Sequence, residues 1–197
     1  MFPCAIVDKT PLRHMGSALP SFAGRTVFLD RDGIINRLRE NDYVKSWSEF
    51  EFLPDAKAAL RRLSNAGYRV IVVTNQRGVA RGYLTETDLE AIHRRMVGEA
   101  EEAGGRIAAV YYCPHEIGEC ECRKPKIGLF LEAQRDFDDI DFSTSTVIGD
   151  SASDMEAGLR LGCTVIFVGK SDQYLCAGTL YQAVARFLLT DVDNPTP

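Results

Sequence analysis

The sequence predicts an α/β protein built on a doubly wound, Rossmann-like parallel sheet. Short runs rich in β-branched residues alternate with helical patterns along the chain, the order that parallel sheets require. Those runs show no polar alternation, so both faces of each strand are expected to be buried. The 197 residues give one such domain a core and leave little for a second.

Val27–Leu29 reads as the first strand and Arg69–Val73 (RVIVV) as the second. Between them a helix is expected to start at Pro54, to turn Ala56, Ala59, Leu60 and Leu63 inward, and to end at Gly67. Thr85 and Asp88 form the T-x-x-D pattern of a capping box, and Leu89, Ile92, Met96 and Val97 supply the apolar stripe of the helix that follows. Gly104 and Gly105 stop it. Further strands are expected at Ala108–Tyr112, Thr146–Ile148 and Thr164–Val168, and helices at Leu129–Phe137, Asp154–Leu161 and Leu180–Leu189. The organisation expected is an N-terminal extension without regular order over residues 1–24, a single domain over 25–190, and a frayed tail over 191–197.

Composition narrows the function classes. The chain is 45% hydrophobic and carries a net charge of −5, so it lacks the positive field that draws in nucleic acid or an anionic membrane surface. No apolar run approaches the roughly 20 residues of a membrane span, and FPCAIV is too short for a secretory signal before Asp8 and Lys9 end it. A cytoplasmic monomer acting on a small molecule is expected, with no nucleic-acid or membrane partner. Of the six cysteines, Cys4, Cys163 and Cys176 are far apart and read as free or buried thiols.

In a doubly wound sheet, ligands bind beyond the carboxyl ends of the strands. Here those ends carry Asp30-Arg31-Asp32-Gly33, then Thr74-Asn75-Gln76, then Arg123-Lys124, then Gly149-Asp150 with Asp154 close behind. Carboxylates that can hold a hard divalent cation, combined with a lysine and small hydrogen-bond donors, suit phosphoryl chemistry. Between the second and third groups, Cys113, His115, Cys120 and Cys122 lie within ten residues. Thiolate and imidazole are zinc ligands, and four of them close the coordination shell, so this zinc is expected to be structural. Its loop would aim Arg123 and Lys124 at the substrate.

FLDRDG resembles the first motif of the haloacid dehalogenase-like phosphatases, and the likeness runs in order through Thr74, Lys124 and GDSASD over roughly residues 25 to 170. The resemblance implies that Asp30 is the nucleophile and forms an aspartyl-phosphate, that Asp32 is the general acid and base, and that Asp30, the backbone carbonyl of Asp32 and Asp150 hold Mg²⁺. It also implies that Thr74 and Lys124 bind phosphoryl oxygens and that Asp154 orients Lys124 or the metal shell. TNQRGVARG, YYCPH, CRKP and NDYV are similar to the D-glycero-D-manno-heptose 1,7-bisphosphate phosphatases and the related histidinol-phosphate phosphatases. Members of this group lack a large cap domain, and neither 33–73 nor 75–123 has room for one.

The implied activity is removal of the 7-phosphate from the heptose bisphosphate. Histidinol phosphate remains the alternative substrate, because the short stretch between His115 and Cys120 is the form found in the histidinol-phosphate enzymes. Asn75, Gln76, Arg77, Arg123 and Tyr43 are the candidate substrate contacts, with Arg81 and Lys45 as further cations for a second phosphate and Trp47 beside Tyr43 at the mouth. His14 and His93 are given no role.

Overall fold

The computed structural model describes residues 5–7 and 25–189. Strands β1 (Ala5–Val7), β2 (Thr26–Leu29), β3 (Arg69–Asn75), β4 (Ala109–Cys113), β5 (Thr146–Gly149), β6 (Thr164–Val168) and β7 (Leu175–Ala177) form one sheet. Its order is β1-β4-β3-β2-β5-β6-β7. The six strands from β4 to β7 run parallel, and β1 closes the β4 edge antiparallel, Ala5 facing Tyr112. The chain moves outward from β2 through β3 to β4 and then returns to the other side of β2 at β5. The switch point therefore lies beside Asp30.

Successive strand residues point to opposite faces, and this period of two splits the core. Val27, Leu29, Val70, Val72 and Ile148 face helices α1 (Ala56–Asn65), α2 (Glu86–Glu102) and α5 (Leu180–Ala183). Phe28, Ile71, Val73, Val147 and Val165 face α3 (Gly128–Asp136) and α4 (Ala152–Leu161), where the ring of Phe28 meets that of Phe130 edge-on at 5.1 Å. Every residue of β2 and β5 is buried, as continuous apolar runs require.

The five expected strands and the helices between them are present. Two strands were not expected. β1 falls inside the segment read as an extension, and β7 is equally short. Three residues carry too little periodicity to read, and each strand is defined by its ladder to a neighbour. Helix α1 starts at Ala56, two residues after Pro54, because Asp55 takes a left-handed φ of 63° and turns the chain first. The Thr85–Asp88 capping box forms as expected. The helix at Leu180 continues past Ala183 as a π-helical turn, Val184–Leu188. The rest of 1–24 and the tail 191–197 lie outside the described residues. No described helix is long and apolar enough to cross a membrane. Segments 33–68 and 76–108 contain only turns, short bridges, the 3-10 helix Trp47–Glu49 and the helices α1 and α2, so no cap domain lies among the described residues.

Candidate active site and metal centre

Asp30 follows β2, and its backbone N–H is anchored to the carbonyl of Ile148 on β5 at 3.0 Å. The chain then turns sharply so that Asp30 and Asp32 both border one cavity of about 290 Å³, together with Thr74, Asn75, Gln76, Asp150, Arg39 and Tyr43. Gly33 makes that turn possible. Its φ is +81°, and a Cβ placed there would lie 1.8 Å from Asp150 Oδ2. A shallower depression of about 650 Å³ beside Lys170, Cys176 and Arg186 has no carboxylate in its lining, so the smaller cavity is the chemical one.

Lys124 is 4% exposed and is held at every end. Its Nζ lies 3.1 Å from Asp30 Oδ1 and 2.5 Å from Asp154 Oδ1, and donates to the carbonyl of Val73 at 2.6 Å. Its backbone N–H donates to Asn75 Oδ1 at 3.0 Å, and Asn75 Nδ2 donates back to its carbonyl at 3.2 Å. This reciprocal pair clamps the Lys124 backbone to the end of β3. Burial works against the ammonium, but Asp154 and Asp30 outweigh it and hold its pKa above the ordinary lysine value. Asp154 does two jobs, since its Oδ2 accepts from the backbone N–H and hydroxyl of Ser151 at the start of α4.

Asp32 is gripped on both oxygens. Oδ1 accepts from Asn36 Nδ2 at 2.9 Å and from Arg31 Nη2 at 3.0 Å, and Oδ2 accepts from Gln76 Nε2 at 2.8 Å and from Arg31 Nη2 at 2.9 Å. Burial alone would raise this carboxyl, yet Arg31 and these hydrogen bonds bring it below the usual aspartate value. Gln76 Nε2 also donates to Thr74 Oγ1 at 2.9 Å, which leaves the threonine hydroxyl proton free for another acceptor.

Asp30 and Asp150 behave in the opposite way. Burial first, and then the neighbouring carboxylates, push Asp30 up to about 7 and Asp150 up to about 6 against the pull of Lys124. Oxygens of Asp30, Asp150 and Asp154 lie within 4.8 Å of one another. Three carboxylates this close, with Asp30 and Asp150 reluctant to ionise, fit a hard divalent cation, which supplies the missing positive charge.

The cysteine and histidine cluster forms as the spacing predicts. Cys113 Sγ is 3.4 Å from Cys120 Sγ and 3.6 Å from His115 Nδ1, and Cys122 Sγ is 3.3 Å from the same nitrogen. Ligands at tetrahedral zinc, about 2.3 Å for sulfur and 2.0–2.1 Å for nitrogen, stand about 3.5–3.8 Å apart, so the four atoms fit this ion. The hydrogen bond with Cys122 leads the effects that bring the Cys113 thiol down to about 5, close to the thiolate that zinc requires. No disulfide is formed by Cys113, Cys120, Cys122, Cys163 or Cys176, and Cys163 is buried as expected. Cys4 lies outside the described residues.

Of the expected substrate contacts, Tyr43, Asn75 and Gln76 line the cavity. Arg77 does not line it. Its Nε donates to Tyr43 Oη at 3.2 Å and its Nη1 to Glu116 at 3.1 Å. Arg81 donates to the other Glu116 oxygen, and Lys45 pairs with Asp42. Arg123 does not line the cavity either; it stands beside Lys124 with a buried Nη1 that has no hydrogen-bond partner. Trp47 stacks on Phe50 at 4.7 Å under the Arg95 guanidinium, a packing role and not a place at the mouth. The sequence reading missed Arg31, Asn36 and His93. Arg31 stands between two aspartates and reads as a spacer, and single polar residues in apolar surroundings carry no spacing signal.

The sequence model of a family described as polynucleotide kinase 3 phosphatase matches residues 26–174. A D-glycero-beta-D-manno-heptose-1,7-bisphosphate 7-phosphatase of Rhodopseudomonas palustris is 43% identical over 143 residues, 68% of this chain and 78% of the relative. A D-glycero-alpha-D-manno-heptose-1,7-bisphosphate 7-phosphatase of Mycobacterium bovis is also 43% identical, over 66% of this chain and 69% of the relative. Among solved structures, a D,D-heptose 1,7-bisphosphate phosphatase from B. bronchiseptica, complexed with magnesium and phosphate, superposes with a TM-score of 0.78 at 30% identity. That match covers 85% of this chain and 99% of the other.

Proposed function

The chain belongs to the haloacid dehalogenase-like phosphatases, in the family described as polynucleotide kinase 3 phosphatase, and from that premise we propose that it is a Mg²⁺-dependent phosphatase removing the 7-phosphate of D-glycero-D-manno-heptose 1,7-bisphosphate. The observation that carries the reading is the convergence of Asp30, Asp32, Thr74 and Asp150 on one cavity at the switch point, with the buried Lys124 Nζ 3.1 Å behind Asp30 Oδ1. Relatives named for this reaction support the substrate class. One is named for the β anomer and one for the α anomer, at equal identity.

In this reading a carboxylate oxygen of Asp30 attacks phosphorus, and the bond from phosphorus to the sugar oxygen breaks. Asp32, ionised in the empty site, takes up a proton when the phosphate dianion arrives beside it, since like charge favours the neutral carboxyl, and gives that proton to the departing oxygen. The product is an aspartyl-phosphate on Asp30. Asp32, now a carboxylate, takes a proton from water, whose oxygen attacks phosphorus and releases phosphate and free Asp30. Lys124 and the Thr74 hydroxyl hold phosphoryl oxygens through both steps. Mg²⁺, when held by Asp30, Asp150 and the Asp32 carbonyl, offsets the repulsion between carboxylate and phosphate dianion. Tyr43, Asn75 and Gln76 contact the substrate from the cavity wall, and Arg123 offers it a guanidinium. Zinc on Cys113, His115, Cys120 and Cys122 fixes the loop that leads into Arg123.

The same reading makes residues 25–190 a single catalytic domain and the protein a cytoplasmic monomer that takes a small phosphorylated sugar. With a net charge of −5, nothing long-range draws in a nucleic-acid end. Phosphate release in Mg²⁺ from both heptose 1,7-bisphosphate anomers, histidinol phosphate and fructose 1,6-bisphosphate tests it. A preference of about 100-fold in kcat/KM for a heptose anomer, about 2.7 kcal/mol of transition-state binding, is expected. The same preference for histidinol phosphate would overturn the substrate assignment, and release from none would overturn the chemistry.

A further inference from the structure

His93 is fully buried on α2 and takes no part in the reaction as described. Its Nε2 lies 2.9 Å from Nη1 of Arg31, which is itself 1% exposed. A guanidinium has no lone pair to offer, so the imidazole must be the acceptor. That fixes His93 as neutral, with its proton on Nδ1. Burial, and then the Arg31 charge, keep it so by holding its pKa well below the ordinary histidine value. Tyr112 closes the other side of the ring at 5.6 Å between centroids, and Nδ1 has no hydrogen-bond partner. Among the described residues, the one polar contact of this buried imidazole is Arg31.

Arg31 faces Asp32 with its other nitrogen. Nη2 donates to both Asp32 oxygens and to Gln76 Oε1 at 3.2 Å, while Nε is buried and unpartnered. Nη1 and Nη2 therefore fix the plane of the guanidinium, and His93 is the partner of Nη1. A neutral acceptor suits this place better than a carboxylate. An acid at position 93 would share the arginine's charge, whereas the imidazole leaves that charge to act on Asp32.

We infer that His93 is a positioning residue that sets Arg31 and, through it, the orientation in which Asp32 protonates the leaving oxygen. The inference rests on the proposed phosphatase reading. His93 touches neither substrate nor reacting atoms, and it works from α2, an element that contributes no residue to the cavity lining.

A defect confined to leaving-group protonation depends on the leaving group. kcat/KM reports only the steps up to departure of the first product. A sugar alkoxide needs the proton that Asp32 supplies, and p-nitrophenolate does not. The zinc-loaded enzyme in Mg²⁺ is therefore compared on heptose 1,7-bisphosphate and on p-nitrophenyl phosphate, as wild type, His93→Leu and His93→Gln. His93→Leu is expected to lose about 10- to 100-fold in kcat/KM on the sugar phosphate, part of the 10²–10⁴ that acid catalysis supplies, and less than about 3-fold on the aryl ester. His93→Gln, whose amide oxygen can accept from Arg31, is expected to recover most of the loss. An equal fall on both substrates, or no fall on either, would overturn the inference. Should His93→Leu not fold, judged by circular dichroism and zinc content, His93→Asn, with its acceptor drawn back from Arg31, gives the same ratio. A wild type inactive on both substrates would instead overturn the phosphatase reading and remove the ground of this one.

Discussion

Proton and metal compete for the same two carboxylates, and the size of that competition can be worked out. Without a cation, the folded protein holds Asp30 up to about 7 and Asp150 up to about 6, mainly by burial. Between the ordinary aspartate value and about 7, the folded state binds more protons than the unfolded chain, so the stability of the Mg²⁺-free protein falls as pH rises through this window. Mg²⁺ needs both groups ionised, and its apparent affinity therefore falls as pH drops. For a group with a pKa of about 7, the weakening at pH 5 is about 100-fold, and a second group at about 6 adds up to about 10-fold, together roughly 3–4 kcal/mol. The assay is titration calorimetry of zinc-loaded protein with MgCl₂ at several pH values, joined to thermal melts with and without Mg²⁺. At 2–4 °C per kcal/mol for a chain of this size, the Mg²⁺-induced rise in Tm should be several degrees larger near pH 8 than near pH 5. Proton release on Mg²⁺ binding near neutral pH should accompany it. An affinity that is flat across this range, or tighter in acid, would refute the reasoning.

Three substitutions probe the rest of the site. Asp30→Asn removes the attacking oxygen's charge and should lower phosphate release below detection while circular dichroism and zinc content stay unchanged; turnover near wild type would sink the aspartyl-phosphate mechanism. Gly33→Ala places a methyl group 1.8 Å from Asp150 Oδ2 at a φ of +81°. It should cost about 1 kcal/mol or more in backbone strain alone and weaken Mg²⁺ binding at least 10-fold by calorimetry; unaltered Mg²⁺ affinity would mean that Asp150 is no ligand. Cys122→Ser should lower zinc content below one per chain, drop Tm by several degrees and reduce kcat/KM, and loss of zinc with both unchanged would make the cluster a bystander.

The strand ends were legible because phosphoryl chemistry writes itself in short local strings. DRDG, TNQ and GD each follow an apolar run, CRK closes the loop that leaves another, and a parallel sheet brings all such ends to one edge. The zinc cluster was legible for the same reason, with three cysteines and a histidine in ten residues. What supports those strings was not legible. Asn36 and His93 reach Asp32 and Arg31 from positions four and sixty-two residues away, and nothing in their neighbours distinguishes them from other polar residues. Asp154 holds Lys124, one of the two roles that the resemblance implies, and its other oxygen also caps the first turn of α4, a second role the motif alone does not announce. The strand pairing of β1 and β7 depends on partners far along the chain, which three residues cannot announce.

The charged residues around the cavity show how an acidic protein makes a phosphate site. Most of the nearby cations already have carboxylate partners: Arg77 and Arg81 share Glu116, Lys45 and Arg39 share Asp42, and Arg31 is committed to Asp32. These pairs shape the wall and leave little free charge for a ligand. Glu116 directly follows the zinc ligand His115, and Arg77 carries its hold onward to Tyr43. The zinc loop is thereby tied to the cavity wall as well as to the Arg123-Lys124 segment. Nearest the chemistry, Lys124 is fixed 3.1 Å from Asp30 and is also paired with Asp154, and Arg39 borders the cavity with a buried, unpartnered Nε. A fixed lysine, an arginine with bonding capacity to spare and a bound divalent cation are enough to hold a phosphoryl group, because buried charges act in a medium that screens them far less than water does. Net charge therefore says little about this site. What matters is where the fold places its cations and how firmly it ties them down.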